Sequence, residues 1–350
     1  MAETSSIEWT DATWNIVTGC TLVDEGCRHC YAARLAATRL KNIPSRQGLA
    51  RLNASGDAKF TGEVRFNEKW LDQPLRWQRP RRIFVCAHGD LFHENVPDAW
   101  IDRVFAVMSL ARRHTFQVLT KRPDRMRAYL SARDTGQATD PIVQAAFASG
   151  LRHGSGGSAT WPLRNVWIGT SVSDQASADA RIPDLLATPA AVRFISAEPL
   201  LGPVDLMHVP HHRIAPNITI AQNATTGRNG LGDNGPRLDW VIVGGESGPK
   251  ARPMHPDWAR SLRDQCQAAG VAFLFKQWGE WTAVLDRDRD DPDWRSDYTT
   301  LRAENKAIVN LAGGMGFHGE RVHVVEKVGK SRAGRQMDGR EWNDMPGDAQ

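Results

Sequence analysis

The sequence predicts an α/β chain built on a partial (β/α) barrel of six to seven parallel strands, and three observations carry that reading. Short apolar, β-branched runs alternate with helical stripes along the chain, the pattern of βαβ crossovers and a parallel sheet. No G-x-G-x-x-G follows the first run, which argues against a doubly wound dinucleotide-binding sheet. Each run also stops in polar residues, and barrels build their sites from the loops at the carboxyl ends of their strands.

The expected strands are 13–18, 82–87, 115–119, 166–170, 192–195, 240–243 and 271–275. Between them, Trp100, Ile101, Val104, Phe105 and Met108 recur at helical spacing, so 98–112 reads as a helix starting at Asp98. Residues 174–186 and 256–269 read as two further helices. The strand ends are Cys20, His88-Gly89-Asp90, Thr120-Lys121-Arg122, Ser171 with Ser173, Ser196-Ala197-Glu198-Pro199, Gly244-Gly245-Glu246-Ser247, and Lys276-Gln277. Together they predict one mouth of balanced charge. The barrel is expected over 1–283, with insertions at about 131–160 and 208–237. The second insertion is rich in Asn and Gly and reads as a flexible excursion or a lid. Residues 284–350 are expected to be a C-terminal extension packing on the barrel.

A net charge of +4 over 350 residues is too mild to imply nucleic-acid binding. Basic clusters do occur at Arg76, Arg79, Arg81 and Arg82 around Trp77, and from Arg112 through Lys121 and Arg122 to Arg127. They would suit a nucleotide or nucleic acid, although solvated helix ends have the same composition. No apolar stretch approaches bilayer length, so no membrane association is expected. Five cysteines, an odd number, and no leader-like segment predict a reducing, cytoplasmic setting.

Cys20, Cys27 and Cys30 are the most informative residues. Six residues separate the first two and two separate the second pair, so one loop offers three thiolates. No fourth ligand is evident, and a metal centre with an open position does chemistry where a closed one staples. An iron–sulfur cluster held by three cysteines leaves one iron for a small molecule. Zinc, or a redox pair, uses the same C-x-x-C spacing, and His29 sits awkwardly inside that turn for a fourth zinc ligand. Cys86 and Cys266 fall in apolar patterns and read as core.

A cysteine triad after the first strand of a βα barrel resembles the radical S-adenosylmethionine enzymes. The chain resembles more narrowly an uncharacterised phage and prophage family assigned to that superfamily. The stretches that carry this are Trp14-Asn15, Gly19-Cys20, Gly26 to Ala32, Asp90 to His93, Leu119 to Pro123, Asn165 to Gly169, Ser196 to Pro203, Trp240 to Gly248 and Phe275 to Gly279. The first cysteine gap departs from the superfamily's usual three residues, and His29 replaces the aromatic residue before the last cysteine.

The resemblance implies a 4Fe-4S cluster on Cys20, Cys27 and Cys30 whose open iron chelates S-adenosylmethionine. One electron, from a reductant such as flavodoxin or ferredoxin, would cleave the sulfonium and start hydrogen abstraction from a substrate. It also implies that Asp90 contacts the methionine amine and that Ser171 and Ser173 meet the ribose. Glu198, Glu246, Lys121 and Lys276 are then candidates for cofactor or substrate binding and for catalysis. A contrasting expectation is a metal-stapled nucleic-acid-binding scaffold without S-adenosylmethionine chemistry.

Overall fold

The seven apolar runs form one parallel sheet in a computed structural model, of the partial (β/α) barrel class that the sequence predicts. The structure describes residues 4–133, 141–148, 161–215, 218–288, 305–316 and 321–347. Most of the expected 131–160 insertion lies outside these residues, although its segment Pro141–Ala148 is a helix. The strands are β1 (Ala12–Trp14), β2 (Arg82–Val85), β3 (Thr115–Thr120), β4 (Val166–Val172), β5 (Val192–Ala197), β6 (Trp240–Gly244) and β7 (Ala272–Gln277). They lie side by side in chain order. The register sets Thr13 beside Phe84, Phe84 beside Gln117 and Val118 beside Ile168.

Contacts gather into two compact units, residues 1–170 with 184–194 and residues 171–183 with 195–350. In the first unit, α1 (Tyr31–Ala37), α2 (Asp98–Leu110) and α3 (Pro123–Arg133) accompany the strands. Helix α2 starts at Asp98 as its pattern requires and buries Ile101, Val104, Phe105 and Met108. Burying each such side chain stabilises the fold by roughly 1.5–3 kcal/mol. The first expected strand is broken at Asn15. Its side-chain oxygen accepts from the His88 amide at 2.9 Å, and its carbonyl accepts from Asn67 Nδ2 at 2.9 Å. Val17–Thr18 then pairs antiparallel with Arg65–Phe66 instead of continuing β1.

In the second unit, α4 (Gln175–Ala187) begins, and α5 (Pro256–Ala269) has the predicted limits. Gly270 ends α5 in the left-handed region, at φ 64°. Cys266 is fully buried on that helix beside Leu262 and Trp258, as its pattern implied. The 208–237 segment is an antiparallel hairpin, Val209–Ala215 with Ile218–Gln222, followed by a hydrogen-bonded loop. Asn223 Oδ1 takes three donors from Thr225 and Thr226, and Asn229 Oδ1 takes the Leu231 and Asp233 amides. Asn and Gly serve there as turn formers. Beyond β7, β8 (Trp281–Asp288), β9 (Lys306–Asn310) and β10 (Arg321–Lys327) form an antiparallel sheet in the order β8-β10-β9. It opens at Trp281. Among the described residues, no helix is long and apolar enough to cross a membrane.

Candidate functional site: a cysteine loop and a second polar strand end

Gly19 fixes where the cysteine loop starts. Its φ is 97°, and a Cβ there would lie 2.0 Å from the Glu63 carbonyl oxygen. Gly19 bridges in parallel to Gly89, where a Cβ would lie 2.8 Å from the Val17 carbonyl oxygen. Both positions accept only glycine, and the close approach sets Cys20 beside the residues that follow β2. A short 3₁₀ turn, Glu25–Cys27, carries the second thiol, and Cys30 leads into α1, donating its amide to the Cys27 carbonyl at 3.1 Å. The Tyr31 hydroxyl donates to the Ala87 carbonyl at 2.6 Å and ties α1 to the end of β2.

Two cations from the end of β3 enter this loop. Lys121 Nζ donates to Asp24 Oδ1 at 2.9 Å. Arg122 Nη1 reaches Asp90 Oδ2 at 3.0 Å and Cys20 Sγ at 3.7 Å. Asp90 is buried, and its carboxylate takes four donors: Phe92 N, Thr120 Oγ1, Lys121 N and Arg122 Nη1. An incoming ammonium group would have to displace one of them. Asp90 therefore braces Thr120-Lys121-Arg122 against the cysteine loop.

Arg122 also donates to Glu94 Oε2 and to Thr21 Oγ1. His93, fully buried, accepts the Asn95 amide on Nδ1 at 3.1 Å, which puts its proton on Nε2, 3.1 Å from Thr21 Oγ1. Arg46 Nε donates to His88 Nδ1 at 3.1 Å.

The charges follow from these contacts. Burial, reinforced by Asp90, pushes the Cys20 thiol up to about 12, against the pull of Arg122. Burial also raises Cys30. Burial works against the Arg122 charge, but Asp90, Cys20 and Glu94 more than restore it. Burial opposes Glu94 too, yet a backbone bond and Arg122 carry its carboxyl down to about 2. Burial and Arg46 hold the His88 imidazole down to about 4.

The three sulfurs do not form a close-set group. Thiolates sharing one tetrahedral zinc, with bonds of about 2.3 Å, stand roughly 3.8 Å apart. Among the described residues, the one gathering of ligand atoms mutually within 4.8 Å is His255, Asp257 and His323. A cluster that gives each thiolate its own iron requires wider spacing than a single ion does.

The second unit has its own polar strand ends. Lys276 Nζ donates to Glu198 Oε1 at 2.6 Å, and Gln277 Nε2 donates to Ser247 Oγ at 2.9 Å. Glu246 is buried, and its carboxylate takes the Arg252 amide, Nε and Nη2 at 2.6–2.8 Å, so it holds the 247–252 loop. A Cβ at Gly245 would lie 2.0 Å from the Trp278 carbonyl oxygen, which accounts for the glycine immediately before Glu246. The Ser171 carbonyl accepts from Arg181 at 2.8 Å. The Ser173 carbonyl accepts the Leu201 amide at 2.7 Å, tying it to the 198–202 loop. The Ser173 hydroxyl and Gln277 Oε1 are buried without a hydrogen bond among the described residues.

Sequence reasoning did not single out Arg122, His93 or Arg46. Arg122 was visible as part of a polar strand end and of a basic cluster, but not as a partner of Cys20 and Asp90. Most of the basic clusters are engaged within the fold: Arg82 with Asp11, Arg125 with Asp98, Arg127 with Asp184, and Arg81 over the Trp77 ring. No curated protein and no solved structure matches the chain. A family model described as "Protein of unknown function (DUF5131)" matches residues 4–346, nearly the whole chain, and the protein belongs to that family.

Proposed function

We propose that this protein is a radical S-adenosylmethionine enzyme in which Cys20, Cys27 and Cys30 hold a 4Fe-4S cluster. One observation carries the reading: three thiols share a single loop at a strand end, with Arg122 against Cys20 and Lys121 tied to Asp24 in the same loop. When bound, the cluster would supply the electron for reductive cleavage of S-adenosylmethionine. Arg122 and Lys121 offset the negative charge that three thiolates bring into a half-buried site. Asp90 fixes the Arg122 guanidinium, and the His93–Thr21–Glu94 chain fixes Thr21, the residue after Cys20.

In the second unit, the Glu198–Lys276 pair, the Gln277 amide and the Ser173 hydroxyl are assigned to binding a polar ligand. The two buried atoms there that lack hydrogen bonds support this, since such atoms are costly unless something completes them. Ser171 is assigned beside Ser173, and Glu246 a supporting part. The basic residues that suited a nucleic acid are mostly paired internally, so the metal-stapled binding scaffold is the weaker reading.

The test is anaerobic reconstitution with iron and sulfide. The proposal expects about four iron per chain, release of 5′-deoxyadenosine on reduction with S-adenosylmethionine, and loss of both in Cys20→Ala, Cys27→Ala and Cys30→Ala. Iron refused in favour of zinc, or turnover undiminished in Cys30→Ala, would overturn it.

A further inference from the structure

His255 stands immediately before α5 and caps it, its Nδ1 accepting the Asp257 amide at 3.1 Å. His323 lies on β10, opposite Val309 of β9. The fold brings its ring edge-on to His255, with centroids 4.6 Å apart and planes at 88°. One ligand atom from each of His255, Asp257 and His323 lies within 4.8 Å of the others. The two histidines are 0% and 3% exposed, so the gathering is an interior one and not a surface charge cluster.

A helix cap beside a packed histidine would account for burial, but not for the arrangement. His323 Nε2 and Asp257 Oδ2 stand 3.8 Å apart, beyond hydrogen-bond reach. Ligands on a tetrahedral ion, with bonds of about 2.0–2.1 Å, stand roughly 3.4 Å apart, so small side-chain rotations bring this pair into range. Asp257 Oδ1 accepts from Arg260 Nη1 at 2.8 Å, which orients the other oxygen toward His323. Carboxylate ligands are commonly held in this way from behind. Arg260 also binds Asp338 at 2.9 Å, so its charge is shared with a second carboxylate.

We infer that His255, Asp257 and His323 form a binding site for a divalent first-row transition ion of the zinc class, separate from the cysteine loop. His255 Nε2, Asp257 Oδ2 and His323 Nε2 are the assigned ligands. Two imidazoles and one carboxylate leave a further position for water or a small ligand. Loading the ion on His255 Nε2 moves the ring proton to Nδ1 and gives up the cap bond to Asp257, a small loss beside metal ligation.

The test uses the full chain carrying Cys20→Ser, Cys27→Ser and Cys30→Ser, so that no thiolate of the loop competes. Cobalt(II) should bind at one equivalent with visible ligand-field bands and no near-ultraviolet thiolate charge transfer. Zinc should displace it and raise the melting temperature. Asp257→Asn and His323→Gln should each weaken binding at least about tenfold. In the wild-type chain, one equivalent of zinc beyond what the cysteine loop takes should move the ring-nitrogen NMR signals of His255 and His323. No stoichiometric uptake, uptake untouched by both substitutions, or unmoved wild-type ring signals would each overturn the site.

Discussion

The first unit closes its polar strand end, whereas the second leaves one incomplete. At the cysteine loop, Asp90 takes four donors and Arg122 reaches three acceptor side chains as well as Cys20. Around Glu198, one lysine supplies the close bond, and Gln277 Oε1 has no partner among the described residues, nor has the Ser173 hydroxyl after β4. A saturated network suits a group that is held permanently, and an unsaturated one suits a ligand that comes and goes. The proposed cluster belongs with the first and the polar ligand with the second.

Substitutions at the two strand ends separate these roles. Cys30→Ala should abolish both iron retention and S-adenosylmethionine cleavage, measured by iron content and 5′-deoxyadenosine release. Lys276→Met should leave the iron content at the wild-type level and weaken ligand binding instead. Loss of iron in Lys276→Met would erase the distinction.

Stability should divide in the same way. The Arg122–Asp90 pair is deeply buried, at 12% and 6% side-chain exposure. Arg122→Met leaves the Asp90 charge uncompensated and should cost about 3–5 kcal/mol in denaturant unfolding. Lys276→Met breaks a somewhat more open pair, at 14% and 20%, and should cost about 1–3 kcal/mol. Arg103→Met, facing the exposed Glu68, should cost no more than about 1 kcal/mol. Equal losses in Arg122→Met and Arg103→Met would mean that the network around Asp90 holds nothing.

Acid should act on the first unit in two stages. The His88 imidazole, held down to about 4 from 6.5, contributes stability that is present above pH 6.5 and lost as the pH falls toward 4. Glu94, carried down to about 2 from 4.5, contributes stability that is present above pH 4.5 and lost as the pH falls toward 2. Unfolding midpoints measured across this range should flatten in the upper window for His88→Gln and in the lower window for Glu94→Gln. A slope unchanged by both would remove these groups from the acid response.

The strands were legible because a sheet covered on both faces is written as continuous apolar runs. Helix α5 was legible to the residue, since Pro256 opens it and Gly270 closes it. The break at Asn15 was not, because it depends on Asn67 and His88, distant in sequence. The hairpin at 209–222 hid behind a polar composition that local turn rules read as loop. The cysteine spacing showed the loop itself, but not its partners. Arg122 lies 102 residues from Cys20 and 32 from Asp90, and only the parallel sheet brings them together. His323 and Asp257 are likewise far apart in sequence, and no short motif connects them.

The central claim is that the cysteine loop holds a cluster whose open iron takes S-adenosylmethionine. Its most direct test is the EPR spectrum of the anaerobically reconstituted, dithionite-reduced protein, recorded with and without that molecule. The account predicts a reduced-cluster signal that changes on addition, with 5′-deoxyadenosine released in the same tube. A protein that keeps zinc, takes up no iron and gives no response to S-adenosylmethionine would contradict it.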